Sequence, residues 1–76
     1  MIEIEYNVIF HTRSGEEECY CYSRAEDARA HFDLFRDGED ADLYSYIELT
    51  SYDYTEAEET LIECINFVGY PNAIEL

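Results

Sequence analysis

Ile2, Ile4, Tyr6, Val8 and Phe10 alternate along the chain with Glu3, Glu5, Asn7, Ile9 and His11. Successive side chains of a strand point to opposite faces, so the pattern predicts a first strand with an apolar face and an outer face bearing two carboxylates near its start. Thr12-Arg13-Ser14-Gly15 then reads as a turn, with Gly15 free to take a positive φ. Glu16 to Tyr22 supplies a second strand, and the short polar connection makes the pair a β-hairpin. Its inward face is open at this point: the pair Cys19 and Cys21 and the pair Tyr20 and Tyr22 are both credible core residues.

Ser23-Arg24-Ala25-Glu26 has the S-x-x-E form of a capping box and predicts the start of a helix. Ala25, Ala28, Phe32 and Phe35, with Leu34 beside them, make an apolar stripe at helical spacing, and Glu26, Asp27, Arg29, Asp33 and Arg36 take the wet side. Asp37-Gly38-Glu39-Asp40 ends it. A third strand follows from Leu43 to about Thr50, with Leu43, Ser45, Ile47 and Leu49 toward the core and Tyr44, Tyr46, Glu48 and Thr50 on a display face. Beyond it the pattern divides. Thr55-Glu56-Ala57-Glu58 is a second T-x-x-E box, and Ala57, Leu61, Cys64, Ile65 and Val68 gather on one helical face, which favours a C-terminal helix ending at Gly69 with Pro71 beyond. Against it, Leu61 to Val68 is rich in β-formers and could return as a fourth strand, giving ββαββ. The expectation is a small α+β domain spanning residues 1–76: hairpin, helix, strand and C-terminal helix, with ββαββ as the alternative.

Charge changes this picture most. The 76 residues hold nineteen acids against four arginines and no lysine, a formal charge of -15. Such an excess destabilises a small domain by self-repulsion and exceeds what solubility requires, so it points to a basic partner, bound cations or a salt-rich setting. Nucleic acid and anionic membranes would be repelled. With 47% hydrophobic residues the chain is too apolar for disorder. Three cysteines, an odd number, and no apolar run of signal or membrane length suggest a reducing cytoplasmic setting.

Carboxylates at i and i+2 on one strand face sit about 6.7 Å apart, twice the rise per residue, a spacing comparable to that of successive phosphates. Glu3, Glu5, Asp37, Glu39, Asp40, Asp42, Glu48 and Asp53 are therefore candidate contacts for arginine and lysine groups that otherwise hold phosphate. Tyr44, Tyr46, Tyr52 and Tyr54 are the candidate anchors beside them, since tyrosine offers large contact area and stacks against arginine. Cys19-x-Cys21 lacks the paired knuckles of a zinc site, and the three cysteines read as small buried hydrophobes. Asp37 to Asp42 lacks the twelve-residue calcium-loop pattern. No nucleophile–base pair or glycine-rich phosphate loop stands out, so neither catalysis nor a cofactor is expected.

The hairpin, the helix, the tyrosine-rich strand ending in Tyr46-Ile47-Glu48-Leu49 and the pervasive acids give the chain a resemblance to small acidic phage-encoded inhibitors of host defence, of which the DNA-mimicking anti-CRISPR proteins are the nearest class. That resemblance implies a non-enzymatic inhibitor in a bacterial cytoplasm, monomeric or homodimeric. It would occupy the basic nucleic-acid-binding surface of a Cas or similar effector and bind no nucleic acid itself. The competing expectation is an acidic interaction or assembly module, with a homodimer through an exposed sheet edge as one form, whose charge serves solubility or salt adaptation.

Overall fold

In the computed structural model, which describes residues 3–67, four strands and one helix follow the order β1 (Ile4–Thr12), β2 (Glu17–Tyr22), α1 (Ala25–Asp33), β3 (Tyr44–Asp53) and β4 (Glu58–Asn66). The strands form one antiparallel sheet in the order β2-β1-β3-β4. The helix packs on β1, β2 and β3 from one side. The domain is therefore α+β with ββαββ order.

The C-terminal helix is replaced by a strand. Residues Glu58 to Asn66 pair with β3 from Asp53↔Glu58 through Tyr46↔Asn66. The T-x-x-E signal goes into the β3–β4 turn instead: Asp53 Oδ1 accepts from the backbone N–H of Thr55 at 2.8 Å and of Glu56 at 3.3 Å, and Ala57 sits at φ +52°. Ladder hydrogen bonds to an available strand outweigh a weak local helix preference, and Thr60, Ile62 and Ile65 are β-branched. The proposed stop at Gly69 and Pro71 and the tail beyond lie outside the described residues.

The first capping box is not formed either. The helix starts after Arg24, at φ −124° and ψ 134°, and no side chain caps it; Glu26 accepts from Arg24 Nη2 at 2.7 Å. At its other end the helix stops at Asp33 rather than Asp37, and three-residue turns continue the chain, Phe35 N–H donating to Phe32 O and Gly38 N–H to Phe35 O. Gly38, at φ +75°, takes the left-handed turn there, as Gly15 does at +95° in the hairpin.

Val8, Phe10, Ala28, Phe32, Ala41, Ile47, Leu49, Ile65 and Phe67 form the core between helix and sheet. Tyr20 and Tyr22 share the helix side, where Tyr20 meets Phe10 edge-on at 5.5 Å and Tyr22 Oη lies 2.7 Å from His31 Nδ1. This settles the inward face of β2 in favour of the tyrosines. The strand nearest the core is β3, but its alternation slips at its start: His11 pairs with Tyr46 and Thr12 with Tyr44, so Ser45 is bulged. Tyr44 consequently leaves the expected display face and packs on Phe10 and Phe35, while Leu43 is exposed. Thr50, also expected on display, is on the predicted face but buried.

No part of α1 packs closely on the β4 backbone; ion pairs span that gap. Arg29 Nη1 donates to Glu63 Oε1 at 2.5 Å, and Arg36 donates to both Glu63 oxygens at 2.6 and 2.8 Å. Hydrogen bonds from Arg36 and then Arg29 hold the Glu63 carboxyl down at about 2, against an ordinary 4.5. A depressed carboxyl stabilises the fold above its unfolded pKa and loses that contribution as pH falls toward its folded pKa. Glu63→Gln should therefore be less stable than the parent at pH 6, with the difference closing between about 4.5 and about 2 in urea titrations. Because the groups are partly exposed, 1 M salt should narrow the difference as well. Phe32→Ala removes the largest fully buried helix side chain, and such truncations cost about 3–5 kcal/mol. Since that is comparable to the whole stability of many small domains, the variant should show no cooperative urea transition at 25 °C.

Candidate interaction face

The helix covers one side of the sheet, and the register assembles the other side row by row. Glu5, Tyr52 and Glu59 lie in one row; Cys21, Asn7, Thr50 and Leu61 in the next; Cys19, Ile9, Glu48 and Cys64 in the third; Glu17, His11, Tyr46 and Asn66 in the last. A period of two along each strand, with antiparallel pairing, makes this grid obligatory once the register is set. Acids stand toward both ends of the face, and its middle is neutral.

At one end, His11 Nε2 donates to Glu48 Oε1 at 2.8 Å, its Nδ1 lies 3.6 Å from Glu17 Oε2, and its ring stacks on Tyr46 with centroids 4.0 Å apart and planes 15° off parallel. At the other end, Tyr54 Oη donates to Glu5 Oε1 at 3.0 Å, and its ring meets Tyr52 edge-on at 4.8 Å. That hydrogen bond to a carboxylate pushes the Tyr54 hydroxyl pKa up, with burial second. Tyr54 N–H donates to Glu3 O at 2.7 Å, continuing the β1–β3 ladder, and Thr55 Oγ1 donates to the Glu3 carboxylate. Between these residues lies a depression of ≈ 440 Å³ lined by Glu5, Asn7, Ile9, Cys19, Cys21, Tyr52, Tyr54 and Glu59.

None of the four arginines reaches this face. Arg13 turns to the Ala41 carbonyl at 2.7 Å, Arg24 pairs with Glu26, and Arg29 and Arg36 are committed to Asp33 and Glu63 on the helix side. With no lysine in the chain, His11 is the one basic group among the described residues of the face.

The predicted contact residues thus separate. Glu5, Tyr46, Glu48 and Tyr52 share the open face, and Glu3 and Tyr54 adjoin it. Asp53, opposite Ile4, falls on the helix-side parity and spends its carboxylate on the turn. Asp37, Glu39, Asp40 and Asp42 occupy the loop between α1 and β3, where Asp37 Oδ1 accepts from Glu39 N–H at 3.0 Å and a hydrogen bond to Asp37 raises the Glu39 carboxyl pKa. That loop adjoins the Thr12–Tyr44 end of the sheet, whereas Glu3 and Asp53 flank the Ile4 end, eight residues and about 26 Å away along β1. Tyr44 packs on the helix side. The loop acids thus lie at the opposite end of the sheet from Glu3, Glu5 and Asp53.

Glu17 and Glu59 complete the face, and neither was a candidate in the sequence. Glu59 could be placed only once β4 replaced the helix. The cysteines also differ from expectation: Cys19, Cys21 and Cys64 are all free and exposed on the open side. Partial desolvation of the sulfur, then the neighbouring Cys21, push the Cys19 thiol up to about 11. Among the described residues, no three or more His, Cys, Asp or Glu side chains are grouped to hold a metal ion, and no helix is long and apolar enough to cross a membrane.

Fold and face together define a small acidic α+β domain that presents one side of its sheet to solvent. Compared with family models, curated proteins and solved structures, the chain matches none. All three thiols should react with a maleimide in the native protein without denaturant. Because the thiolate is the nucleophile, alkylation of Cys19 should keep accelerating as pH rises toward about 11, which peptide mass spectrometry of a pH series can follow.

Proposed function

We propose that this protein is a non-enzymatic acidic inhibitor whose open sheet face occupies the basic nucleic-acid-binding surface of a partner, a defence effector of the Cas type being the partner class that the resemblance to small acidic phage-encoded inhibitors implies. The observation that carries this reading is the segregation of charge. Every arginine is engaged on the helix side or in the hairpin turn, so Glu5, Glu17, Glu48 and Glu59 act on one face without a neutralising guanidinium. A single-signed face of this kind steers toward an opposite charge and raises the association rate. It also offers carboxylates to the arginines and lysines that would otherwise hold phosphate. Tyr46, Tyr52 and Tyr54 add ring surface among those carboxylates, as a contact with arginine requires.

The test is capture from a bacterial lysate with the purified domain, followed by release with salt or with added DNA or RNA. A basic nucleic-acid-binding protein should be retained at low salt and displaced by nucleic acid. Glu5→Lys, Glu17→Lys and Glu59→Lys combined should weaken its binding by at least about tenfold per reversed charge, while reversal of Asp37, Glu39, Asp40 and Asp42 has a smaller effect. Undiminished binding by the face variant would remove the mimicry account. Salt-resistant self-association with no basic partner would instead favour an assembly module.

A further inference from the structure

The Glu5–Tyr52–Glu59 row has a ring at its centre and a carboxylate on each side, one from β1 and one from β4. Two strand spacings put the backbones of the two acids about 10 Å apart. Tyr54 stands beside the row, edge-on to Tyr52 and hydrogen-bonded to Glu5, so one ring and one carboxylate are already oriented relative to each other. The depression they border holds ≈ 440 Å³ over a floor that includes Ile9 and Asn7. From this we infer that the depression seats an arginine side chain of the basic partner, its guanidinium against the Tyr52 and Tyr54 rings and its N–H groups directed to Glu5 and Glu59. The inference rests on the proposed function and names what that face recognises.

Arginine fits this setting better than the other cations. A metal ion requires oxygen ligands at about 2.0–2.6 Å on several sides, and two acids on strands this far apart do not supply them. A lysine ammonium is compact and strongly hydrated, and gains little from an aromatic wall. The guanidinium is planar and weakly hydrated, stacks on rings, and donates in a fork that matches a carboxylate. Its aliphatic stem can lie over Ile9 and the neutral middle of the face.

The test uses hexa-arginine and hexa-lysine peptides at 0.15 M salt, followed by amide shifts in two-dimensional NMR and by calorimetry, about the ionic strength at which exposed charges farther than about 8 Å apart are screened. Hexa-arginine should bind more tightly, with shifts centred on Tyr52, Tyr54 and Glu59. Tyr54→Ala should weaken hexa-arginine by about tenfold and leave hexa-lysine unchanged, and Glu59→Gln should weaken both. Tyr54 and Glu59 are exposed, so both variants should keep the dispersed spectrum of the parent. Equal affinity for the two peptides, indifference to Tyr54→Ala, or shifts centred on residues 37–42 would overturn the inference. Its failure is separable from that of the proposed function. Hexa-arginine seated here while no lysate partner yields to nucleic acid would uphold the seat and remove the inhibitor. A nucleic-acid-displaced partner that binds Tyr54→Ala and Glu59→Gln normally would remove the seat alone.

Discussion

A nine-residue helix is about 13 Å long, and four strands are about 15–19 Å across. One such helix cannot cover one such sheet, and much of the architecture follows from that shortfall. Phe32 and Ala28 reach the core over β1 and β3, and Ala41 from the following loop helps close it. The outer strand, β4, is left to be held by Arg29 and Arg36 converging on Glu63, with Phe67 N–H bonded to Ser45 O at its end. Leu61 and Ile62, 55% and 43% exposed, show how much of that strand escapes burial. Among the described residues no helix packs on the opposite side of the sheet.

Charge is apportioned in the same way as burial. The few cations stand where packing is thin: Arg29 of the helix and Arg36 of the turns after it reach β4, one bonds Glu26 at the start of the helix, and Arg13 ties the hairpin turn to the loop before β3. Exposed pairs of this kind contribute modestly, but a carboxylate shared by two guanidinium groups is a network and loses less to side-chain entropy. Withdrawing the arginines from the open face gives that face its single sign. Stability on one side and a face without guanidinium groups on the other are thus two results of one distribution of four residues.

The hairpin, the helix and the buried pair Ile47 and Leu49 were legible in the sequence because each is specified locally, by alternation or by helical spacing over a few residues. β4 was legible only as an alternative. Ala57, Leu61, Cys64 and Ile65 satisfy a helical face as well as Thr60, Ile62 and Ile65 satisfy β propensity, and the deciding term is the ladder to β3, which no local pattern contains. Both capping boxes misled for a related reason: Ser23 and Thr55 have the right neighbours, but Asp53 and Arg24 supply the competing local bonds. For the face, alternation found Glu5, Tyr46 and Glu48, and residue type found Tyr52. Glu17, Glu59 and the exposed cysteines depend on which way β2 and β4 are turned, and the slip at Ser45 that removes Tyr44 from the face is set by a pairing irregularity between distant strands.

Among the described residues β2 and β4 are the outer strands, each with one edge facing no other described strand. Such an edge is a template for indefinite strand addition. Here Glu17 and Glu18 stand on one outer strand and Glu58 and Glu59 on the other, so two copies meeting edge to edge would bring like charges together. Like charge on both outer strands is thus a guard against edge-to-edge pairing of copies. That guard is electrostatic and weakens as ions shorten its reach, from about 30 Å at 0.01 M to about 3 Å at 1 M.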